Sequence, residues 1–169
     1  MTKQIRKASE SDAGLIASLS RTTFYDTFAP NNTKEDMDIF LQQQFTTPKL
    51  EAEVLEGKGQ FYLIQDGDIV LGYVRLGRTA TFDLTSDSIE IVRFYMTKEA
   101  IGTGAAAILM NFCLELAREH KFKKMGLSVW KENHRAIAFY KKFGFEIIGE
   151  TEFLLGKDLQ FDHVMAKTL

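Results

Sequence analysis

Apolar positions along the chain recur with two periods, and each change of period marks the end of one element and the start of another. Gln4 to Lys7 alternates as a short strand. It runs into Ser9 and Asp12, residue types that begin helices, after which Leu15, Ile16, Leu19 and Thr23 repeat at helical spacing. Thr33 with Asp36 three positions on resembles a capping box and predicts a second helix, with Met37, Phe40, Leu41 and Gln44 along its inner stripe. A short third helix starts at Pro48; Pro30, the other proline, also falls at a helix boundary. Gln60 to Gln65 and Ile69 to Leu76, joined through Asp66 and Gly67, predict an antiparallel hairpin, and Ile89 to Thr97 a further strand. From Gly104 the period is helical, with Leu109, Phe112, Cys113, Leu116 and Ala117 on one stripe that ends near His120. Met125, Leu127 and Val129 then alternate as a strand, Asn133 to Phe143 forms a helix, and Glu146 to Phe153 and Gln160 to Thr168 close the chain as two strands. The order is α+β with a mixed sheet. No repeat, low-complexity tract or Pro/Gly/Ser-rich linker divides it, so residues 1–169 are expected to form one domain.

Composition narrows the class. A chain of 169 residues that is 45% hydrophobic can bury about two thirds of its extended surface, enough to fold without disulfides or a structural metal. Cys113 is the lone cysteine, and its place on an apolar stripe reads as a small buried hydrophobe rather than a nucleophile. Three scattered histidines offer no paired ligand spacing, so no metal is expected. Met1 to Glu10 contains no apolar run, and no stretch approaches the ~18 apolar residues of a spanning helix. The expected setting is therefore the cytoplasm, away from membranes. The net charge of −2 conceals a segregation: residues 1–29 carry about +1, 30–100 about −5, 101–145 about +5 and 146–169 about −3. A basic stretch suits an anionic ligand and an acidic one a cationic ligand, although solvated faces produce the same counts.

The basic stretch opens with a candidate anion site. Ile101-Gly102-Thr103-Gly104-Ala105-Ala106-Ala107 lies between a strand and the long helix. Small residues there let the backbone approach a ligand, and the amides of the first helical turn point at it with the helix dipole behind them. No Gly-Lys-Ser/Thr follows, so this is not a Walker loop, and the three-glycine dinucleotide pattern is incomplete.

About thirty residues on, Asn133 to Phe145 has the form Asn-x-x-Ala-x-x-Phe-Tyr-x-x-x-Gly-Phe. Loop and helix motif together resemble the GNAT acyltransferases, the acetyl-CoA-dependent N-acetyltransferases, in order and separation over roughly residues 60–169. Thr23-Phe24-x-x-Thr27-Phe28, Asn32-Thr33-x-Glu35-Asp36-Met37, Val129-Trp130-x-x-Asn133 and the ending Met165-Ala166-Lys167-Thr168-Leu169 are similar to the PaiA-type polyamine acetyltransferases, which extends the likeness across nearly the whole chain. The fold this implies has a mixed central sheet of about seven strands flanked by about four helices.

The resemblance also implies roles. Phe94, Tyr95 and Met96 at a strand end would receive pantetheine, whose amides add to a sheet edge like a further strand. The family's loop, (Arg or Gln)-x-x-Gly-x-(Gly or Ala), falls on Ile101 to Ala106. Gly104 and Ala106 match and Ile101 departs from it, while the amides of Gly102, Thr103, Gly104, Ala105 and Ala106 remain to hold a pyrophosphate. Asn133 would contact the cofactor's amide arm and can also cap its helix. Lys142 is a candidate phosphate contact. Tyr140 is the expected general acid for the departing thiolate. Relatives often carry an acidic residue where this chain has Val92; Glu90, two residues earlier on the same strand face, could act as base through a water. Glu35, Asp36, Asp38, Asp83, Asp87 and Glu90 could surround a cationic amine such as spermidine or spermine. The alternatives are a protein or peptide N-acetyltransferase and a non-catalytic CoA-binding regulatory module. Nucleic-acid binding is not expected, since there is no helix-turn-helix signature and the basic residues gather where CoA phosphates belong. A homodimer is compatible with the aromatic content.

Overall fold

Seven strands join in one sheet in the order β1-β2-β3-β4-β5-β7-β6, in a computed structural model that describes residues 2–78 and 87–169. The elements follow as β1 (Lys3–Lys7), α1 (Ala13–Phe28), α2 (Lys34–Gln43), α3 (Thr47–Leu55), β2 (Gln60–Asp66), β3 (Ile69–Gly77) and β4 (Ser88–Met96), then α4 (Ala105–Glu119), β5 (Lys124–Trp130), α5 (His134–Lys142), β6 (Glu146–Leu155) and β7 (Asp158–Thr168). Neighbouring strands are antiparallel except for the central pair β4–β5, which is parallel and connected through α4. Five α-helices flank the sheet among the described residues, the five that the sequence pattern predicts and one more than the resemblance implies. The one at Pro48 is capped by Thr46, whose Oγ1 accepts from the Lys49 amide at 3.4 Å.

The two faces of the sheet carry separate cores. Leu109, Met110, Cys113 and Ala117 of α4 and Ile137 and Tyr140 of α5 pack on Ile91, Met125, Leu127, Val129 and Met165. On the other face Phe24, Met37, Phe40, Phe45 and Leu50 gather from α1 to α3 against Leu155. Cys113 is fully enclosed, and burial pushes its thiol up to about 12, which leaves it a hydrophobe.

The inner face of α1 differs from the expected stripe. Ala13, Ile16, Ala17, Ser20 and Phe24 are buried, while Leu15 is 39% exposed and Thr23 half-buried. Small residues let the helix approach the sheet closely, and Ser20 is accommodated because its hydroxyl donates to Ile16 O at 2.6 Å and shares a 2.5 Å hydrogen bond with the Tyr73 hydroxyl. In α2 the Thr33 cap forms, accepting from the Asp36 amide at 3.1 Å. Asp36 completes no reciprocal box: its Oδ2 accepts from the Thr33 hydroxyl at 3.1 Å, and its Oδ1 accepts from the Lys157 amide at 2.8 Å and so docks the β6–β7 turn onto the start of α2. Gly156 in that turn has φ +62°, and a Cβ there would lie 2.5 Å from Asp36 Cα.

Two irregularities in β4 shape the centre of the molecule. Arg75 pairs with Arg93 but Leu76 pairs with Ile91, so Val92 is an extra residue, a β-bulge. Beyond it Phe94 and Met96 pack on the α4–α5 side with Ile91, whereas Tyr95 packs beneath α1 to α3. The second irregularity is that β4 and β5 pair only over Ser88–Ile91 and Lys124–Leu127 and then part.

Candidate active site

Where β4 and β5 part, a cavity of about 730 Å³ passes between them. Val92 to Met96 and Ser128 to Trp130 form its two sides, Ile101 of the loop before α4 and Ala106 of its first turn lie at one end, and α1, α5 and β6 complete the wall. The backbone of Phe94, Tyr95 and Met96 is paired with β3 on one edge and has no strand on the other, the arrangement that β-strand addition by an extended amide chain requires.

The loop is built as an anion cradle. Gly102 has φ +75° and Gly104, the cap of α4, has φ +79°, conformations that disfavour any side chain. A Cβ at either would meet no protein atom within 4 Å, so the space above the loop is open. The Thr103 amide is held by Ala100 O, and the Ala105 amide reaches Thr103 Oγ1 at 3.3 Å. The amides of Gly102, Gly104, Ala106 and Ala107 donate to no acceptor among the described residues, and they stand at the positive end of the 15-residue α4. This donor set fits the pyrophosphate of CoA without a cationic side chain; Ile101, 51% exposed, adds no amide to it, because its N–H donates to Lys98 O at 3.2 Å. Gly104→Ala introduces strain of about 1–2 kcal/mol in the left-handed region. It is expected to weaken CoA binding about tenfold in calorimetry, with the fold retained; unchanged affinity would mean that the cradle does not hold the cofactor.

From the α4–α5 side, Tyr140 reaches the cavity. Its ring is enclosed by Phe94, Phe139 and Phe145, with centroids 6.4, 5.6 and 5.9 Å away, and burial holds its phenol well above the usual range, so it is protonated at neutral pH. Asn133 caps α5, its Oδ1 accepting from the Ala136 amide at 3.2 Å, and lines the same cavity. Lys142 is exposed in the last turn of α5 and lies outside the lining. The cations that do line it are Arg93, Lys98 and Arg135. Lys98, 3.3 Å from Asp26, and Arg135 sit one turn or less from the loop and helix motifs, where a search for charge around those motifs would have found them.

From the opposite side comes Glu90, 3% exposed. It pairs across the sheet with Gly77, two residues from the Arg75–Arg93 pair, and so shares a face with both guanidinium groups; its charge favours that of Arg75. Glu53 of α3 accepts from Arg93 Nη1 at 2.5 Å and Nη2 at 2.9 Å and lies 3.4 Å from Arg75, so the bulged segment is clamped to the helices above it. The acidic residues of α2 are directed elsewhere. Glu35 pairs with Lys157, Asp36 holds the β6–β7 turn and Asp38 pairs with Lys34, and none lines the cavity. Asp87 precedes β4 at the end where the strands are paired, away from the gap, and Asp83 lies outside the described residues.

Phe28 and Trp130 of this wall stand in the motifs shared with the PaiA-type enzymes, whereas sequence reasoning did not single out Asp26, Ser128, Thr151, Glu152, Phe153 or Asp162 as site residues. Their signal was present in part. In β7, alternation from the buried Val164 and Ala166 carries Asp162 inward, an acid where an apolar residue is expected. Among the described residues no group of three or more acidic, His or Cys side chains could hold a metal ion, and no helix is long and apolar enough to cross a membrane.

Comparison with known proteins bears on the same elements. The Acetyltransferase (GNAT) family matches residues 21–145, which hold the acidic bulged strand, the loop and the α5 motif. An uncharacterised N-acetyltransferase encoded in the pepI 3′ region of Lactobacillus delbrueckii subsp. lactis is 32% identical over 98% of this chain and 97% of its own. The spermine/spermidine N(1)-acetyltransferase of Bacillus subtilis is 29% identical over 54% of this chain and 61% of its own. Among solved structures, the PaiA N-acetyltransferase of Thermoplasma acidophilum in complex with coenzyme A superposes with a TM-score of 0.80, covering all of both chains at 19% identity. With seven strands in the order that leaves a gap between β4 and β5, an amide cradle at its end and a family match over most of its length, the chain belongs to the GNAT acetyltransferase family and is an N-acetyltransferase.

Proposed function

We propose that the protein transfers an acetyl group to a primary amine of a polyamine such as spermidine or spermine, by direct attack with both substrates held together. The observation that carries this reading is the cavity itself: it is entered from one sheet face by Tyr140 and from the other by Glu90, with the amide cradle at its end. When bound, acetyl-CoA supplies the thioester carbonyl that the amine attacks and the sulfur that leaves. The amides of Gly102, Gly104, Ala106 and Ala107 would hold its pyrophosphate, the open edge of β4 its pantetheine and Asn133 its amide arm; those of Thr103 and Ala105, also expected there, are bonded within the loop. A primary amine is mostly protonated at neutral pH. Glu90 takes the proton that frees the nitrogen lone pair, through a water, and Tyr140 holds a proton at its phenol oxygen for the departing sulfur. No nucleophilic side chain is needed when the reacting atoms are aligned.

The polyamine assignment draws on the similarity to the Bacillus subtilis enzyme and on the carboxylates of the lining, Asp26, Glu90, Glu152 and Asp162. It no longer draws on α2. Thiol release from acetyl-CoA is expected to be at least tenfold faster with spermidine than with a neutral-bodied amine of equal length, in a panel that includes lysine peptides and aminoglycosides. Equal rates would remove the polyamine assignment, and faster release with a lysine peptide would replace it with a protein acceptor.

A further inference from the structure

The sheet face beneath α1 to α3 carries a row of polar side chains of which the transfer step uses only the first. Cα partners on adjacent strands point to the same face. Glu90 pairs with Gly126, Ser128 follows two residues on along β5, Trp130 pairs with Asp162, and Asp162 pairs with Thr151 of β6. Glu90, Ser128, Trp130, Asp162 and Thr151 all line the same cavity. Within this row Ser128 Oγ and Asp162 Oδ1 are sealed from solvent and have no hydrogen-bond partner. The two residues are diagonal neighbours across β5 and β7, their Cα atoms about 7–8 Å apart. Leaving each such atom unsatisfied costs about 1–3 kcal/mol, so two of them on one cavity wall mark a place where a ligand completes the bonding. The surrounding wall is aromatic: Phe28 lies 4.9 Å from Trp130 and 6.1 Å from Phe153, ring to ring. A carboxylate set among aromatic faces is complementary to an ammonium group, which it attracts by charge and the rings by their quadrupoles.

We infer that Asp162 and Ser128 form a subsite for a protonated amine of the acceptor other than the one acetylated, Asp162 and Ser128 Oγ each accepting an ammonium N–H. This rests on the reading of the cavity as the place where acetyl transfer occurs. Asp162 is a positioning and specificity residue; removal of the proton from the attacking amine remains with Glu90, two strands away on the same face. Burial raises the Asp162 carboxyl to about 6. The ionisable groups around it are largely committed: Lys131 to Glu150, Lys98 to Asp26 and Arg93 to Glu53. Glu90, Glu152, Arg135 and Tyr140 line the cavity, and His163 turns to the opposite sheet face. Because its value is raised, Asp162 is ionised above about pH 6 and neutral below it, so amine binding is present at pH 7.5 and fades as the pH falls through 6.

Calorimetric titration of spermidine into the CoA-saturated protein tests this, with wild type, Asp162→Asn and Ser128→Ala at pH 7.5 and 5.0. Asp162→Asn is expected to weaken spermidine binding at least tenfold at pH 7.5 and to abolish the difference between the two pH values, and Ser128→Ala to weaken it about threefold. A retained or raised Tm at pH 7.5 shows that the Asn variant folds. Spermidine that binds wild type and Asp162→Asn alike, or neither, overturns the subsite. A wild-type protein that acetylates no amine while its spermidine binding depends on Asp162 overturns the transfer reading and leaves the subsite standing.

Discussion

Tyr140→Phe lowers kcat for amine acetylation by about 100-fold while leaving acetyl-CoA affinity within about twofold of wild type. The expectation follows from where the ring sits. Phe94, Phe139 and Phe145 surround it where it lines the cavity, so deletion of one oxygen disturbs little packing. Burial keeps the phenol protonated far above neutral pH, which makes it a poor base and a ready proton store for a leaving thiolate. Loss of that proton removes an interaction made only as the carbon–sulfur bond breaks, so the effect falls on kcat and not on binding. Steady-state kinetics beside calorimetry separates the two; an unchanged kcat would remove Tyr140 from the role of acid.

Glu53→Gln lowers stability by about 3 kcal/mol, a large share of the 5–15 kcal/mol available to a domain. Burial works against the charge of Arg93, yet its hydrogen bonds to Glu53 prevail and hold it above its ordinary value. Arg75 has the opposite balance: burial outweighs its neighbours and lowers it. Replacing the carboxylate leaves two guanidinium groups on adjacent strands facing each other beneath α3 with their shared counter-charge gone. Phe45, over which Arg93 lies at 5.1 Å, and the bulged segment both border the cavity, so the acceptor KM is expected to rise as well. Urea unfolding measures the first effect, and a loss below about 1 kcal/mol would show that the clamp is dispensable.

The elements themselves were legible because each is marked by a local rule: alternation for β2 and β3, the Thr33 cap for α2, Pro48 in the first turn of α3, and glycine at the start of α4. The half of the cavity proposed for the donor was legible for the same reason, since the Gly102–Ala107 loop and the Asn133–Phe145 helix are each contiguous in sequence. The half proposed for the acceptor is not contiguous. It draws on α1, β5, β6 and β7 with Glu90 of β4, and of the acids that charge counting gathered only Glu90 lines the cavity among the described residues, those of α2 being spent on Lys157, Lys34 and the β6–β7 turn. Local pattern also could not reveal the bulge at Val92, which shifts the alternation so that Arg93 and Tyr95 join the face of Glu90 while Phe94 turns to the opposite core. Nor could it reveal that Asp162, an acid in an ordinary-looking closing strand, is carried to the cavity by its pairing with Trp130.

The most direct test of the account is to measure thiol release and acetylated amine together, by chromatography and mass spectrometry, with acetyl-CoA and spermidine present. One thiol released for each primary amine acetylated, with no release when the amine is omitted, is the predicted result. Thiol release at the same rate without an amine, or none with any amine supplied, would contradict it.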